Sequence, residues 1–314
     1  MSSTSAIQIT KSSKYKLNNG KSIPVTGYGV YQVPKDKTAG LVYKALSIGY
    51  RHIDTAVAYH NYVEVAEGIA KFLKDHPEVS RRDIWFTTKI QDADHGYDNT
   101  RRSVVEMAGS LKDLIGYIDL ILVHSPHSNK EKRLGTWKAL QEFTVSNDII
   151  TVGSIGVSNY GIKHLQELFD WEGFCVMPVI NQLELHPWSP QLKLREFLVR
   201  KGICIEAYSP LTRGLKFKDP EVVELSQKYN ISPVEMLLKW SYLQGFIVLV
   251  KSENPERIQE NYNVLPDGHN GVNTEIPLQF GKVDLDYEII DRLNKPDSHE
   301  IICWNSVDPT LYEG

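Results

Sequence analysis

Short apolar runs alternate with longer segments of helical periodicity along almost the whole chain. The runs lie near Val25–Tyr31, Tyr50–Thr55, Ile84–Lys89, Ile118–His124, Ser154–Ser158, Val179–Glu184, Ile203–Ser209 and Phe246–Lys251. Between them the spacing of apolar positions predicts helices near Ala39–Ser47, Val63–Leu73, Thr100–Leu114, Gly135–Thr144, Ile162–Phe169, Pro190–Arg200, Pro220–Tyr229 and Pro233–Tyr242. Polar residues mark the ends of several runs: Asp54, Lys89, His124, Ser158, Gln182 and Tyr208. Taken from Gly29 to Val250, successive run ends are about 32 residues apart on average, close to one strand–helix–strand step. Eight such steps predict a (β/α)8 TIM barrel, an α/β fold with reactive groups gathered at the carboxyl ends of its strands.

The opening stretch Tyr15–Val25 breaks this rhythm. Asn19-Gly20 between two short apolar stretches predicts a β-hairpin with a type I′ turn, placed as a cap across the barrel bottom. Pro266–Gly281 and the tail after Pro296 also fall outside the repeat and are expected as loops over the active-site mouth. The polar, Ser-rich residues 1–14 read as a flexible tail, and 15–314 as a single domain including the C-terminal tail.

Composition narrows the class without selecting a function. The 314 residues are 41% hydrophobic and 24% charged, as in a globular protein that needs neither disulfide nor metal to support its core. A net charge of −4 gives no support to binding nucleic acid or an anionic membrane. Cys175, Cys204 and Cys303 are too sparse for a disulfide framework, and no metal-ligand spacing occurs. With no apolar signal core and no run long enough to span a membrane, a cytoplasmic protein is expected.

Chemistry is expected first at Asp54, Tyr59, Lys89 and His124, on or just after the second, third and fourth strands. A phenol alone is a weak acid at neutral pH. A neighbouring ammonium lowers its pKa, a carboxylate holds that ammonium, and a histidine orients a substrate oxygen. Each residue taken singly also has an ordinary structural role; all four at the strand ends of one barrel point to a site. A second site follows the eighth run. Asn254-Pro255 is a good N-cap and first-turn pair, and a helix start beside Lys251 and Arg257 makes an anion site. The glycine fingerprint of a dinucleotide-binding Rossmann turn is absent.

Seven segments in order resemble the aldo-keto reductase superfamily: Gly49–Tyr59, Thr87–Lys89, Leu122–Pro126, Ile155–Gly161, Asn181–Trp188, Glu206–Leu211 and Lys251–Asn261. Within it, the chain most resembles yeast aldose reductases that take xylose, arabinose and other carbonyl compounds. The resemblance implies NADPH-dependent reduction of aldehydes or ketones, such as aldoses and α-keto or conjugated carbonyl compounds. Tyr59 is then the proton donor, Lys89 and Asp54 tune it, and His124 orients the carbonyl. It also implies cofactor contacts at Ser158, Asn159, Gln182, Tyr208, Ser209, Leu211, Lys251, Ser252, Arg257 and Asn261, and substrate contacts at Tyr31, Ser125 and Trp188. No metal is implied, the partner is a small carbonyl substrate, and a monomer is usual.

Three departures carry expectations of their own. Ser125 stands where several relatives have tryptophan, which predicts a wider mouth, with Trp188 and Trp304 as other aromatic walls. The short loop Ser209–Asp219 predicts a less enclosed cofactor. Glu253 would repel a 2′-phosphate but accept bonds from an unphosphorylated ribose, so NADH is expected as a weaker donor beside NADPH. Two other readings remain: an aldolase using Lys89 as a Schiff-base nucleophile, and a non-catalytic NADPH-binding sensor.

Overall fold

A computed structural model describes residues 7–145, 147–268, 275–277 and 281–314. Eight parallel strands close into a barrel: β1 (Thr26–Gly29), β2 (His52–Asp54), β3 (Trp85–Ile90), β4 (Leu120–Val123), β5 (Ile155–Ser158), β6 (Ile180–Glu184), β7 (Cys204–Tyr208) and β8 (Ile247–Val250). Each is hydrogen-bonded to its sequence neighbour, and β8 returns to pair with β1. The run ends predicted from sequence therefore fall at the carboxyl ends of the eight strands or close beside them.

Helices surround the strands and bury their outer face. These are α1 (Lys35–Ile48), α2 (Tyr62–Asp75), α3 (Tyr97–Ile115), α4 (Lys130–Phe143), α5 (Ile162–Phe169) and α6 (Leu192–Arg200). The long step between β7 and β8 holds two helices, α7 (Pro220–Tyr229) and α8 (Pro233–Leu243). Each of the two starts on a side-chain cap, Asp219 or Ser232, with proline in the first turn. Beyond β8 come α9 (Pro255–Tyr262) and α10 (Tyr287–Leu293).

Inside the barrel, Gly27 faces inward. A Cβ there would lie 2.6 Å from Leu249 and 2.8 Å from His52 Nδ1, so only glycine leaves room for the buried imidazole. Polar groups fill much of this interior: His52, Asp54, Thr87, Lys89, Gln182 and Glu206 are all buried. Buried polar side chains at this density must satisfy one another.

The hairpin Lys14–Lys16 and Ser22–Pro24 does cap the bottom. Lys21 Nζ donates to Gly153 O, and Asn18 Nδ2 to Pro178 O and Gly202 O, all just before barrel strands. Its turn is not type I′, which requires positive φ at both central residues. Only Gly20 has positive φ (84°); Gly20 N donates to Leu17 O and Leu17 N to Lys21 O, a three-residue loop with a left-handed glycine before the return strand. The asparagine side chains explain the extra residue, because both reach across to the barrel floor.

Two further expectations are corrected here. The flexible amino-terminal tail does not extend to residue 14: Ile7–Gln8 pair with Gly281–Lys282, and Ile9 and Ser13 are fully buried. Residues 1–6 lie outside the described residues. The described part of Pro266–Gly281 does not cover the mouth, because Glu275–Ile276 add a parallel strand to Lys14–Tyr15 and Pro266 O accepts from Lys11 N. Its described part belongs to the bottom cap; residues 269–274 and 278–280 lie outside the described residues. An apolar Ile276 completing the hairpin's buried face is the reason.

Candidate active site

Lys89 projects from β3 into the barrel with no exposed surface. Its Nζ lies 2.6 Å from Asp54 Oδ1, 2.8 Å from Thr55 O and 3.3 Å from the Tyr59 hydroxyl. Three acceptors match the three hydrogens of an ammonium. Burial would lower the Lys89 pKa, but Asp54 and Tyr59 outweigh it and hold it above its usual value. Tyr59 sits on the single turn Val57–Tyr59 after β2, which turns its ring back over the strand end. The His124 ring meets it edge-on at 5.5 Å between centroids, and Tyr31 packs at 5.0 Å on another side. The four expected residues are together.

The electrostatics differ from the simplest expectation. Burial pushes the Tyr59 phenol up to about 12, Lys89 pulls it down and Asp54 pushes it back up. The ammonium acts with the anticipated sign, yet it does not bring the phenol below its ordinary value. Burial, followed by the Lys89 charge, pushes His124 down to about 3, so its imidazole is neutral at neutral pH. A neutral imidazole donates a hydrogen bond but is no strong acid; the protonated phenol is the proton source within reach.

Beside this unit the strand ends form one connected network. Ser158 Oγ donates to Gln182 O, and Asn159 Nδ2 reaches both Ser158 Oγ and His124 O. Tyr208 donates to Asn159 Oδ1 at 2.7 Å. Asn159 takes φ 62°, a left-handed conformation that asparagine tolerates better than most residues. Gln182 Nε2 donates to Asp54 Oδ2 at 2.9 Å and to Glu206 Oε2 at 2.6 Å.

The start of α9, where the sequence leads to an expected anion site, is a capped helix end beside an open cleft. Asn254 Oδ1 accepts from Arg257 N and caps α9, with Pro255 in its first turn. A cleft of about 480 Å³ is lined by Lys251, Ser252, Glu253, Asn254, Pro255 and Arg257. The Glu253 carboxylate lies inside this basic group, 2.9 Å from Lys251 Nζ and 3.6 Å from Lys37 Nζ. Asn261 is buried on α9, and Ser252 Oγ accepts from Asn254 N. Ser209, at φ 52°, contacts Cys303 Sγ through its hydroxyl at 3.2 Å, and Leu211 is half-buried after it.

Two of the three expected substrate contacts are placed differently. Ser125 is buried, its hydroxyl donating to Asp92 Oδ1 at 2.5 Å and accepting from His127 N. Trp188 is buried against His186 beneath the Lys216 ammonium, and its carbonyl accepts from Glu300 N. Of the three, Tyr31 is the one whose ring packs on the four-residue unit. Trp304, the tail residue expected as an aromatic wall, packs 6.2 Å from His124 and 5.1 Å from His127, and its Nε1 donates to the Tyr208 hydroxyl. Glu184 latches this tail by accepting from Ile302 N at 2.7 Å and Cys303 N at 3.0 Å.

Sequence reasoning did not single out Thr55, Asp92, Glu184 or Glu206. A charged residue two positions before Tyr208, hence on the same face of β7, was the available signal for Glu206. Thr55 contributes a backbone carbonyl, which no side-chain pattern reveals.

Comparison with known proteins follows the same lines. The model of the aldo/keto reductase family matches residues 25–267. An uncharacterized oxidoreductase of Saccharomyces cerevisiae, YJR096W, is 35% identical over 295 residues, 94% of this chain and 98% of the relative. Glycerol 2-dehydrogenase (NADP(+)) of Hypocrea jecorina is 34% identical over 285 residues, 81% of this chain and 87% of its own length. Among solved structures, a mutant of Gox0644 in complex with NADPH shares 32% identity with a TM-score of 0.76, covering 96% of this chain and 98% of that one. The protein is an oxidoreductase built on a (β/α)8 barrel. It belongs to the aldo/keto reductase family.

Proposed function

We propose that the protein reduces aldehydes or ketones to alcohols with NADPH, using Tyr59 as proton donor. One observation carries this reading: the Lys89 ammonium bridges the Asp54 carboxylate and the Tyr59 hydroxyl at the mouth end of the barrel. NADPH, when bound, supplies the hydride. Its fit rests on the donor set: Lys251, Arg257 and the capped start of α9 suit a phosphate, while Ser158, Asn159 and Gln182 offer donors and acceptors for a carboxamide. The NADPH complex of the structural neighbour supports the same cofactor.

Tyr59 gives its hydroxyl proton to the carbonyl oxygen as negative charge develops there. Lys89 stabilises the phenolate left behind, and Asp54 fixes the ammonium. Neutral His124 donates a hydrogen bond to the same oxygen and sets its direction. Trp304, Tyr31 and His124 supply rigid walls that limit water near the reacting atoms. The glycerol 2-dehydrogenase relative supports small, hydroxylated carbonyl compounds as the class to test first.

The aldolase reading is disfavoured by Lys89 itself. An ammonium held by Asp54 and Thr55 O, with its pKa raised, is not a free amine able to attack a carbonyl. Loss of reduced-nicotinamide absorbance, measured with aldehydes, α-keto esters, diketones and pentoses, tests the proposal. Turnover is expected with at least one carbonyl class and with NADPH ahead of NADH; binding of NADPH without any turnover would return the protein to the sensor reading.

A further inference from the structure

Glu206 is a fully buried carboxylate that the mechanism above does not use. It projects from β7 into the barrel beside groups from three other strands. These are Gln182 of β6, Lys89 of β3, and Asp54 and His52 of β2. On its own strand Cys204 lies close enough to feel its charge. Only one of its oxygens is bonded. Oε2 accepts from Gln182 Nε2 at 2.6 Å, while Oε1 has no hydrogen-bond partner among the described residues and lies 3.6 Å from His52 Nε2.

The Gln182 amide is therefore held between two carboxylates. Its nitrogen carries two hydrogens, and these match two acceptors, Asp54 Oδ2 and Glu206 Oε2. A rotation of the amide by half a turn would set its carbonyl oxygen against two acceptor oxygens, with no donor between them. With the nitrogen fixed toward the barrel interior, the carbonyl oxygen is the only polar group that the Gln182 side chain has left for a ligand. Asp54 alone would anchor one hydrogen and leave the other free.

We propose that Glu206 is a positioning residue: with Asp54 it locks the Gln182 amide so that its carbonyl oxygen accepts from the carboxamide N–H of the nicotinamide. This inference rests on the cofactor reading given above. Burial, and then the Asp54 charge, push the Glu206 carboxyl up to about 8. A proton on Oε1, the oxygen facing His52, leaves Oε2 an acceptor, so the lock survives in the neutral acid. The imidazole of His52 backs this oxygen, and Gly27 leaves the space that the ring fills.

The test compares two cofactors by isothermal titration: NADP+ and its acetylpyridine analogue, in which a methyl ketone replaces the carboxamide and no N–H remains. The wild-type protein is expected to prefer NADP+ by about tenfold, the value of one well-made buried hydrogen bond. Glu206→Met keeps the volume but removes the acceptor, and the preference should fall to within about twofold through weaker NADP+ binding alone. Glu206→Gln, whose amide oxygen still accepts, should restore the preference. Should Glu206→Met not fold, Glu206→Ala carries the same comparison. An equal loss of affinity for both cofactors, or an unchanged preference in a folded variant, overturns the inference and leaves Glu206 a purely structural group. So does a wild-type protein that binds both cofactors equally. A wild-type protein that binds neither cofactor refutes the function proposed above instead, which is a separate failure.

Discussion

The Lys89 ammonium stands 3.3 Å from the Tyr59 hydroxyl, yet the phenol is held above rather than below its ordinary pKa. Burial outweighs the ammonium, so Tyr59 stays protonated across the neutral range, the state that the proposed proton donor requires. In the proposed reaction the contribution of Lys89 comes later, when the proton leaves and a phenolate must be stabilised.

Removing the hydroxyl tests this directly. Tyr59→Phe should lower the rate of carbonyl reduction by about a thousandfold, within the range of general-acid effects, with NADPH affinity changed less than about twofold. Lys89→Met should also lose rate, because its phenolate partner is no longer stabilised. Stopped-flow reduction paired with fluorescence titration of NADPH separates the two effects, and retained turnover in Tyr59→Phe would refute the assignment of the acid.

The cleft proposed for the cofactor phosphate carries its own internal anion. Lys251 is paired with Glu253 at 2.9 Å and must exchange that partner for a 2′-phosphate. Glu253→Gln should therefore tighten NADPH binding by about three- to tenfold and leave NADH unchanged or weaker, raising the ratio of their catalytic efficiencies. Raised salt should shrink the difference, since the pair is partly exposed. An unaltered NADPH-to-NADH ratio would mean that the carboxylate does not meet the ribose.

Three histidines held neutral by the fold make it acid-sensitive. Burial pushes His52 and His124 down to about 3 and His95 down to about 4. In the unfolded chain each takes a proton below about pH 6.5, whereas in the folded protein none does until near pH 4. Between those limits the unfolded state binds more protons, so stability falls as pH falls, by up to about 1.4 kcal/mol per unit for each histidine. The raised Glu206 carboxyl, which gains its proton in the folded state, offsets about one of the three. Urea midpoints should therefore drop from about pH 6.5 to pH 5, and His95→Asn should flatten the slope by about half. A midpoint constant over that range contradicts neutral burial of these rings.

The tail latch predicts a change in protection. Burial would raise the Glu184 carboxyl, but bonds from His186, Ile302 N and Cys303 N outweigh it and hold it below the usual range. Glu184→Ala removes the acceptor of two tail amides and frees the segment bearing Trp304. Chymotrypsin should then cleave after Trp304 about tenfold faster, read by mass spectrometry, and KM for the carbonyl should rise more than kcat falls.

Much of the barrel was legible because its signals are local. Apolar runs, helix caps at Asp219, Ser232 and Asn254, and polar residues at run ends each follow from a few neighbouring side chains. The gathering of Asp54, Lys89 and His124 was legible for the same reason: a barrel brings strand ends to one face, so they meet once the strands are counted. The hairpin was half legible, since Asn19-Gly20 marks a turn but cannot reveal that asparagine side chains reach the barrel floor and lengthen it.

Other features depend on contacts between segments distant in the chain. The sequence offers both Trp188 and Trp304 as aromatic walls beside Ser125; only the structure shows that Trp304, about 180 residues later, is the one that packs on His124. Glu275–Ile276 carry no sequence mark that assigns them to the bottom rather than the mouth; their pairing with Lys14–Tyr15 decides that. The sign of the Tyr59 shift likewise needed the packed structure, because desolvation is a property of everything around a group and not of its neighbours in sequence. Local periodicity was enough to set the strands, the helices and the chemical identities at the strand ends. Which hydroxyls and carboxylates are left facing the site was settled by burial and by pairing between distant segments, and neither is written in any short stretch of the chain.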